Sequence, residues 1–366
     1  MIYKIVGLLV LGALIWVGWY LWPILGKRSF APARWAKMQA SPQFQDGAFV
    51  NAEYTPTFDS SFSAWGLMKE YIFPKSTAPK PPGAIPSKKE NLDALPEGSW
   101  VWLGHSGYFF KLGGKTWLMD PVLSGHASPF SFGVPAFEGA DAYTSADFPA
   151  IDYLILSHDH YDHLDFESVR GLFPKVKHVI APLGVGEHLV YWGYSESQIQ
   201  ELDWHEGVDL APNIRLTATP ARHFSGRGWI RNNTLWASYV LQVDDFRIFL
   251  GGDSGYGKHF KEIGDLYGPF DLAIIECGQY HTYWRPIHIF PQDIPQAVHE
   301  LQAQAIIPVH WGKFKLALHD WDESIETLFS SDPDFPIYTP LPGSSFSLIS
   351  PRPTKRWWRD LKKSHK

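Results

Sequence analysis

Three histidines and two aspartates fall within six residues, His158-Asp159-His160-Tyr161-Asp162-His163, directly after the apolar run 151–156. Apart from Asp152, that run is apolar throughout, as expected of a strand buried on both faces. A polar loop at the end of such a strand is held rigidly and can aim its side chains into a cleft. In an extended segment residues i and i+2 point the same way, so His158 and His160 can share one cation. Asp162 and His163 are adjacent and can reach a second ion where the loop turns into a helix near Phe166. Imidazole nitrogen and carboxylate oxygen are donors that zinc takes at about 2.0–2.2 Å. The chain holds 16 histidines in 366 residues, so three within six positions are poorly explained as solvated surface.

Six residues cannot close two metal sites, and further donors are expected downstream. His223 follows the strand-like run ending Thr217-Ala218-Thr219-Pro220. Asp253 follows Phe249-Leu250-Gly251-Gly252, and His310 follows Ile306-Ile307-Pro308-Val309. An apolar run and then a single donor, three times over, is not the pattern of one accident. Cys277 is the only cysteine, which excludes an intrachain disulfide and a cysteine-rich zinc site.

Around these donors the chain reads as strands interleaved with helices. Short runs rich in aromatic and apolar residues lie at 99–103, 108–112 and 116–120, with Gly113-Gly114 as a hairpin turn. Further strands are expected at 179–181, 214–218, 239–243, 247–250, 272–275 and 305–309. Helical patterns lie at 166–172, 186–193, 195–198 and 291–302. Interleaving of this kind, opened by a meander, predicts a layered α/β sandwich.

Residues 1–30 are of another kind. From Ile5 to Leu25 there is no charged side chain, a length that suits a membrane-crossing helix. Trp16, Trp19, Tyr20 and Trp22 gather at its far end as an aromatic belt would. A cleaved signal peptide is the competing reading, but the run is long for one and no A-x-A site follows. Lys4 precedes the run, whereas Lys27, Arg28, Arg34 and Lys37 follow it. The positive-inside rule therefore predicts a single-pass anchor with the following domain in the cytoplasm. Residues 31–98, punctuated by prolines, read as a linker or wrapping arm. Residues 99–350 read as the main domain, and 351–366 as a basic, tryptophan-bearing tail, either solvated or laid on an anionic leaflet. A formal net charge of −6 gives no basic footprint for nucleic acid.

The H-x-H-x-D-H motif with its later His, Asp and His resembles the metallo-β-lactamase superfamily. Within it the chain is most similar to the N-acylphosphatidylethanolamine-hydrolysing phospholipase D family. The supporting stretches include Trp102-Leu103-Gly104-His105-Ser106, Asp120-Pro121-Val122-Leu123, Trp229-Ile230-Arg231-Asn232-Asn233, Gly251-Gly252-Asp253-Ser254-Gly255 and Val309-His310-Trp311-Gly312. The resemblance spans about 99–320.

It implies an αββα sandwich with two zinc ions at one edge: one on His158, His160 and His223, the other on Asp162, His163 and His310, with Asp253 bridging. Such a pair activates a water and offsets charge on both sides of a displacement at phosphorus. Asp162, Asp253 and His288 are then the catalytic candidates. His288 would bind phosphate or protonate the leaving group, and Arg222, Arg227 and Arg231 flank the His223 ligand as possible phosphate partners. His105 is expected to orient a ligand, and Trp192, with Leu189 and Tyr191, either packs in the core or lines an acyl-chain groove. The implied activity is cleavage of N-acylphosphatidylethanolamine-like phospholipids in a bilayer to phosphatidic acid and an N-acylethanolamine. A homodimer is left open. A lactonase or soluble-substrate phosphoesterase shares the metal motif, and a non-catalytic membrane-tethered binding protein is the alternative from another class. A β-lactamase proper is disfavoured, since no cysteine stands at a ligand position.

Overall fold

The computed structural model of the chain describes residues 2–27 and 29–363; Arg28, counted above among the membrane-flanking charges, and tail residues 364–366 lie outside the described residues. Two mixed sheets face each other. The first has the strand order Ser345–Ser347, Ser99–Trp102, Tyr108–Leu112, Lys115–Met119, Ile151–Ile155, Val176–Pro182, Ile199–Leu202. Its first three pairings are antiparallel and its last three parallel. The second runs Ile306–Val309, Leu272–Glu276, Phe246–Leu250, Ser238–Val243, Ile214–Thr219, Gly207–Ala211.

The period-2 pattern of the first sheet separates its two faces. Trp100, Trp102, Tyr108, Phe110, Trp117, Met119, Tyr153 and Ile155 belong to the cluster shared with the second sheet. Val101, Phe109, Leu118, Leu154 and Val179 pack instead with Val169, Leu172 and Leu189 of the outer helices Phe166–Leu172 and Gly186–Tyr191. Phe260 and Ile263, Ala297 and Leu301, and Ile325 and Leu328 come from the helices His259–Tyr267, Ile294–Leu301 and Glu323–Ser330, and join the shared cluster. The result is the predicted αββα sandwich. A donor at the end of any inner strand is therefore held by a sheet covered on both sides.

Outside the sandwich the sequence reading needs correction at three places. Helix α1 (Ile2–Ile24) is long and apolar enough to cross a bilayer and has exposed sides, as expected. The segment after it is more than an irregular arm. It forms helices α2 (Pro32–Ala40) and α3 (Ala64–Ile72), the former started by a proline at its first turn. Arg34 and Lys37 are not free juxtamembrane charges. Arg34 is buried and paired with Glu187, Glu196 and Glu201, and Lys37 meets the Glu201 carbonyl and Glu206.

The basic tail is likewise part of the fold. Residues Trp357–Lys363 form a helix whose Trp357, Trp358 and Leu361 are buried. Trp357 stacks on Trp311 at 5.3 Å, and the Trp358 indole donates to Glu326 at 2.7 Å. Two of the basic side chains that suggested an anionic leaflet form ion pairs within the chain, Lys362 with Asp322 and Arg359 with Glu326, while Lys355, Arg356 and Lys363 are exposed.

A candidate two-metal centre at the strand ends

The strand Ile151–Ile155 delivers His158 to the edge of the sandwich, and the loop after it carries His160, Asp162 and His163. From the opposing sheet come His223, Asp253 and His310, each beyond the end of a strand, Ile306–Val309 being the edge of its sheet. Their donor atoms converge in two groups. His160 Nδ1 lies 2.9 Å from His158 Nε2 and 3.2 Å from His223 Nε2. The second group gathers Asp162, His163 and His310, with His105 beside them. Asp253 stands between the two: Oδ2 lies 3.2 Å from His163 Nε2 and 3.8 Å from His223 Nε2, and Oδ1 lies 3.1 Å from His310 Nδ1.

The residues fit metal ions. Zn–N bonds of about 2.0–2.1 Å place tetrahedral ligand atoms about 3.3 Å apart, close to the spacings in the first group. His163 Nε2, His310 Nε2 and Asp253 Oδ1 are buried without a hydrogen-bond partner, a cost that native interiors avoid unless something else binds there.

Burial acts on four of the histidines as a metal site requires. It pulls His158, His223 and His310 well below the usual histidine range, reinforced by neighbouring imidazoles, and His160 to about 4. These rings stay neutral, with lone pairs available. Burial also lowers His163, but the carboxylates of Asp253 and Asp162 and the bond to Asp120 outweigh it. Burial lifts Asp253 to about 6 against the pull of His163.

A second layer orients the ligands. Asp120 Oδ2 lies 2.8 Å from His163 Nδ1 and accepts the Ser157 hydroxyl, while its Oδ1 accepts the Ser157 N–H. His223 Nδ1 lies 2.8 Å from the Ile287 carbonyl, and Asn51 of the arm bonds both backbone groups of His223. His105 Nε2 lies 2.9 Å from Asp162 Oδ2, the orienting role expected of it. His105 and His310 both adopt left-handed backbone, at φ 54° and 66°, and are locked by mutual bonds, His310 N–H to the His105 carbonyl and His105 N–H to the Trp311 carbonyl.

The cleft over the donors, about 250 Å³, is lined by His160, Asp162 and Asp253 and by Arg231, His288 and Phe224. Three substrate candidates, Arg222, Arg227 and Trp192, lie elsewhere. The Arg222 guanidinium is spent on the arm, donating to Thr55 Oγ1 and the Tyr256 carbonyl. Trp192 is buried, and its indole donates to the Pro23 carbonyl at the base of α1, so it does not line this cleft. Sequence reading missed Asp120, Asn51 and Glu276. Asp120 opens the family-like stretch Asp120-Pro121-Val122-Leu123; nothing local marks the other two.

The Asp253 loop also carries a pH-sensitive support. Ser254 Oγ accepts the Arg222 N–H and lies 2.9 Å from His259 Nε2. Burial, aided by the Arg222 charge, lowers His259 to about 3. The unfolded chain, with an ordinary histidine near 6.5, then binds the proton that the folded chain refuses. Stability from this group is whole above about pH 6.5 and is lost as pH falls, by about 2 kcal/mol at pH 5. Denaturant titrations of the metal-free protein should show a shallower loss between pH 7 and 5 in His259→Gln; an unchanged slope would discount the group.

Clustered histidines and carboxylates at one edge of an αββα sandwich define a metal-dependent hydrolase of the metallo-β-lactamase fold. The family described as "Beta-lactamase superfamily domain" matches residues 116–311, and the chain belongs to it. An uncharacterised protein of Mycobacterium tuberculosis is 36% identical over 333 residues, covering 88% of this chain and 89% of that one. N-acyl-phosphatidylethanolamine-hydrolyzing phospholipase D 1 of Caenorhabditis elegans is 32% identical over 234 residues, covering 60% of this chain and 65% of its own length. Among solved structures, a metallo hydrolase from the archaeon Ignicoccus hospitalis superposes with a TM-score of 0.53 at 18% identity, covering 68% of this chain and 96% of that one. At that identity the likeness concerns the fold alone.

Proposed function

We propose that this chain is a membrane-attached dinuclear zinc phosphodiesterase. It would cleave N-acylphosphatidylethanolamine-like glycerophospholipids on the head-group side of phosphorus, giving phosphatidic acid and an N-acylethanolamine. The observation that carries this reading is the cleft itself. Arg231 and His288 enter the same space as His160, Asp162 and Asp253, beside the apolar rings of Phe58, Phe224 and Trp284. Trp229 and Ile230, next to Arg231, are exposed, so an apolar surface adjoins a cation suited to phosphate. The partial likeness to the C. elegans phospholipase supports the substrate class.

His158, His160 and His223 would hold one ion, Asp162, His163 and His310 the other, and Asp253 both. Two zinc ions held there supply Lewis acidity and lower the pKa of water. The protein's own part is positioning and proton transfer. Arg231 pairs with the phosphate oxygens, the attacking water gives up a proton to solvent as its oxygen bonds to phosphorus and the head-group P–O bond breaks, and His288, charged from solvent at Nε2, delivers a proton to the departing alkoxide. The α1 helix keeps the domain at the bilayer. The cytoplasmic placement rests on Lys27 and Arg28, now that Arg34 and Lys37 are accounted for by contacts within the domain.

The test is lipid product analysis and metal content on one detergent-purified sample. N-acylphosphatidylethanolamine vesicles should yield N-acylethanolamine and phosphatidic acid. A chelator should abolish the release and added zinc restore it. Turnover of a phosphorylated sugar lactone but of no phospholipid would sink the proposal.

A further inference from the structure

Glu276 closes the strand Leu272–Glu276 and is 2% exposed. No lysine or arginine pairs with it among the described ion pairs. Its two carboxylate oxygens grip two consecutive residues of the segment that covers the cleft. Oε1 accepts the Ile289 N–H at 2.6 Å, and Oε2 lies 3.0 Å from His288 Nδ1. The other carboxylate near that nitrogen, Asp253, is farther off at 3.9 Å. Burial pushes the Glu276 carboxyl up in the metal-free chain; with cations held at the neighbouring Asp253 it would be a carboxylate, whose oxygens only accept, so the hydrogen lies on Nδ1 and Nε2, on the other edge of the ring, is left to the cleft that His288 lines.

From this placement we infer that Glu276 is a positioning residue: it sets the tautomer and orientation of His288, so that any proton His288 exchanges with substrate moves at Nε2. The inference deepens the proposed function and rests on it for the role of His288. A carboxylate anchored in a sheet does this better than a loop residue, because the strand end fixes the donor direction while the segment 281–290 is otherwise irregular apart from one turn of 3₁₀ helix at 282–284.

Glu276→Gln keeps the shape and reverses the polarity. The Ile289 N–H still needs an acceptor and takes the carboxamide oxygen, so the NH₂ faces His288 and turns Nδ1 into an acceptor. Zinc-loaded full-length protein in detergent would be examined in two ways. By ¹⁵N-resolved NMR, His288 should carry hydrogen on Nδ1 in the wild type and lose it in Glu276→Gln; a wild-type Nδ1 without hydrogen overturns the inference without any variant having to fold.

In kinetics, Glu276→Gln should lower kcat on N-acylphosphatidylethanolamine vesicles about 10–100-fold, the usual scale for a residue that orients another. KM and zinc content should be unchanged. Bis(4-nitrophenyl) phosphate, whose leaving group departs without protonation, should be hardly affected. Equal losses on both substrates, or an unchanged kcat on vesicles, would overturn it. A wild type inactive on every phosphodiester would refute the proposed function instead, and the NMR result would still decide the tautomer.

Discussion

Asp253→Asn is expected to lower turnover on the order of 10³-fold or more and to reduce bound metal below two ions per chain. The side chain keeps its volume, so the sandwich around it, 3% exposed at this residue, should fold as before. What changes is charge and donor count. Asp253 presents one oxygen to His163 and His223 and the other to His310, so it reaches both donor groups. Asparagine has a single carbonyl oxygen and no charge to set against two dications. Each 1.36 kcal/mol of lost transition-state stabilisation is tenfold in rate, and removal of a bridge weakens two ions at once. Elemental analysis beside kcat on vesicles reads both effects. A variant that keeps two zinc ions and wild-type kcat would show that the bridging position is not where the chemistry depends on charge. Zinc should also raise the wild-type melting midpoint more than that of the variant, since a ligand stabilises in proportion to how tightly it binds the folded form.

The donors were legible because each one is local. His158 follows an apolar strand by sequence alone, and the strand–donor pattern at His223, Asp253 and His310 repeats it. Most strand positions and the helices at 166–172, 186–191 and 294–301 followed from the same periodicities, whereas the helices His259–Tyr267 and Glu323–Ser330 and the strands Ile199–Leu202, Gly207–Ala211 and Ser345–Ser347 did not. What escaped was set by pairing across long sequence distances. Arg222 and Arg231 flank the same ligand, and nothing local tells which guanidinium meets the arm at Thr55 and which faces the cleft. Glu276 reads as the polar end of a strand until His288 is folded back over it. The tryptophans and cations at 356–363 look like a membrane-seeking tail because Glu326 and Asp322, which neutralise Arg359 and Lys362, lie more than thirty residues earlier. Trp192 reads either as core or as the wall of a lipid groove for the same reason: its partner is the Pro23 carbonyl, 169 residues away.

Arg227→Ala is expected to destabilise the folded domain by about 3 kcal/mol or more and to weaken metal retention, although Arg227 is not a metal donor. It was considered from sequence as a phosphate partner, but its guanidinium is buried and fully engaged. Nη1 donates to the carbonyls of Asp159 and Leu164, at 2.8 and 2.6 Å, and Nε and Nη2 donate to the Ile24 carbonyl, at 3.1 and 2.9 Å. Tyr161 and Trp192 sandwich it at 4.3 and 5.1 Å. Asp159 and Leu164 bracket the donors His160, Asp162 and His163, so one side chain clamps the metal loop at both ends and ties it to the last turn of α1. A parallel link runs through His188, whose Nδ1 accepts the Lys27 N–H and whose Nε2 lies 3.3 Å from Asp159 Oδ2. Burial works against the Asp159 charge, but His188, His160 and the Gly226 N–H outweigh it and hold its carboxyl at about 2. Alanine at 227 leaves three buried carbonyls without donors, each costing about 1–3 kcal/mol. Lysine cannot replace the planar fork that serves them, so Arg227→Lys should recover little. Loss of an outer support lowers metal affinity about 10–100-fold, and the loosened loop should show it as zinc lost during dialysis. Chemical denaturation and metal analysis of the wild type and both variants, in detergent, measure the two effects together. A variant that melts with the wild type and keeps its zinc would mean that the seat of α1 and the metal loop are independent, and that α1 acts as a tether alone.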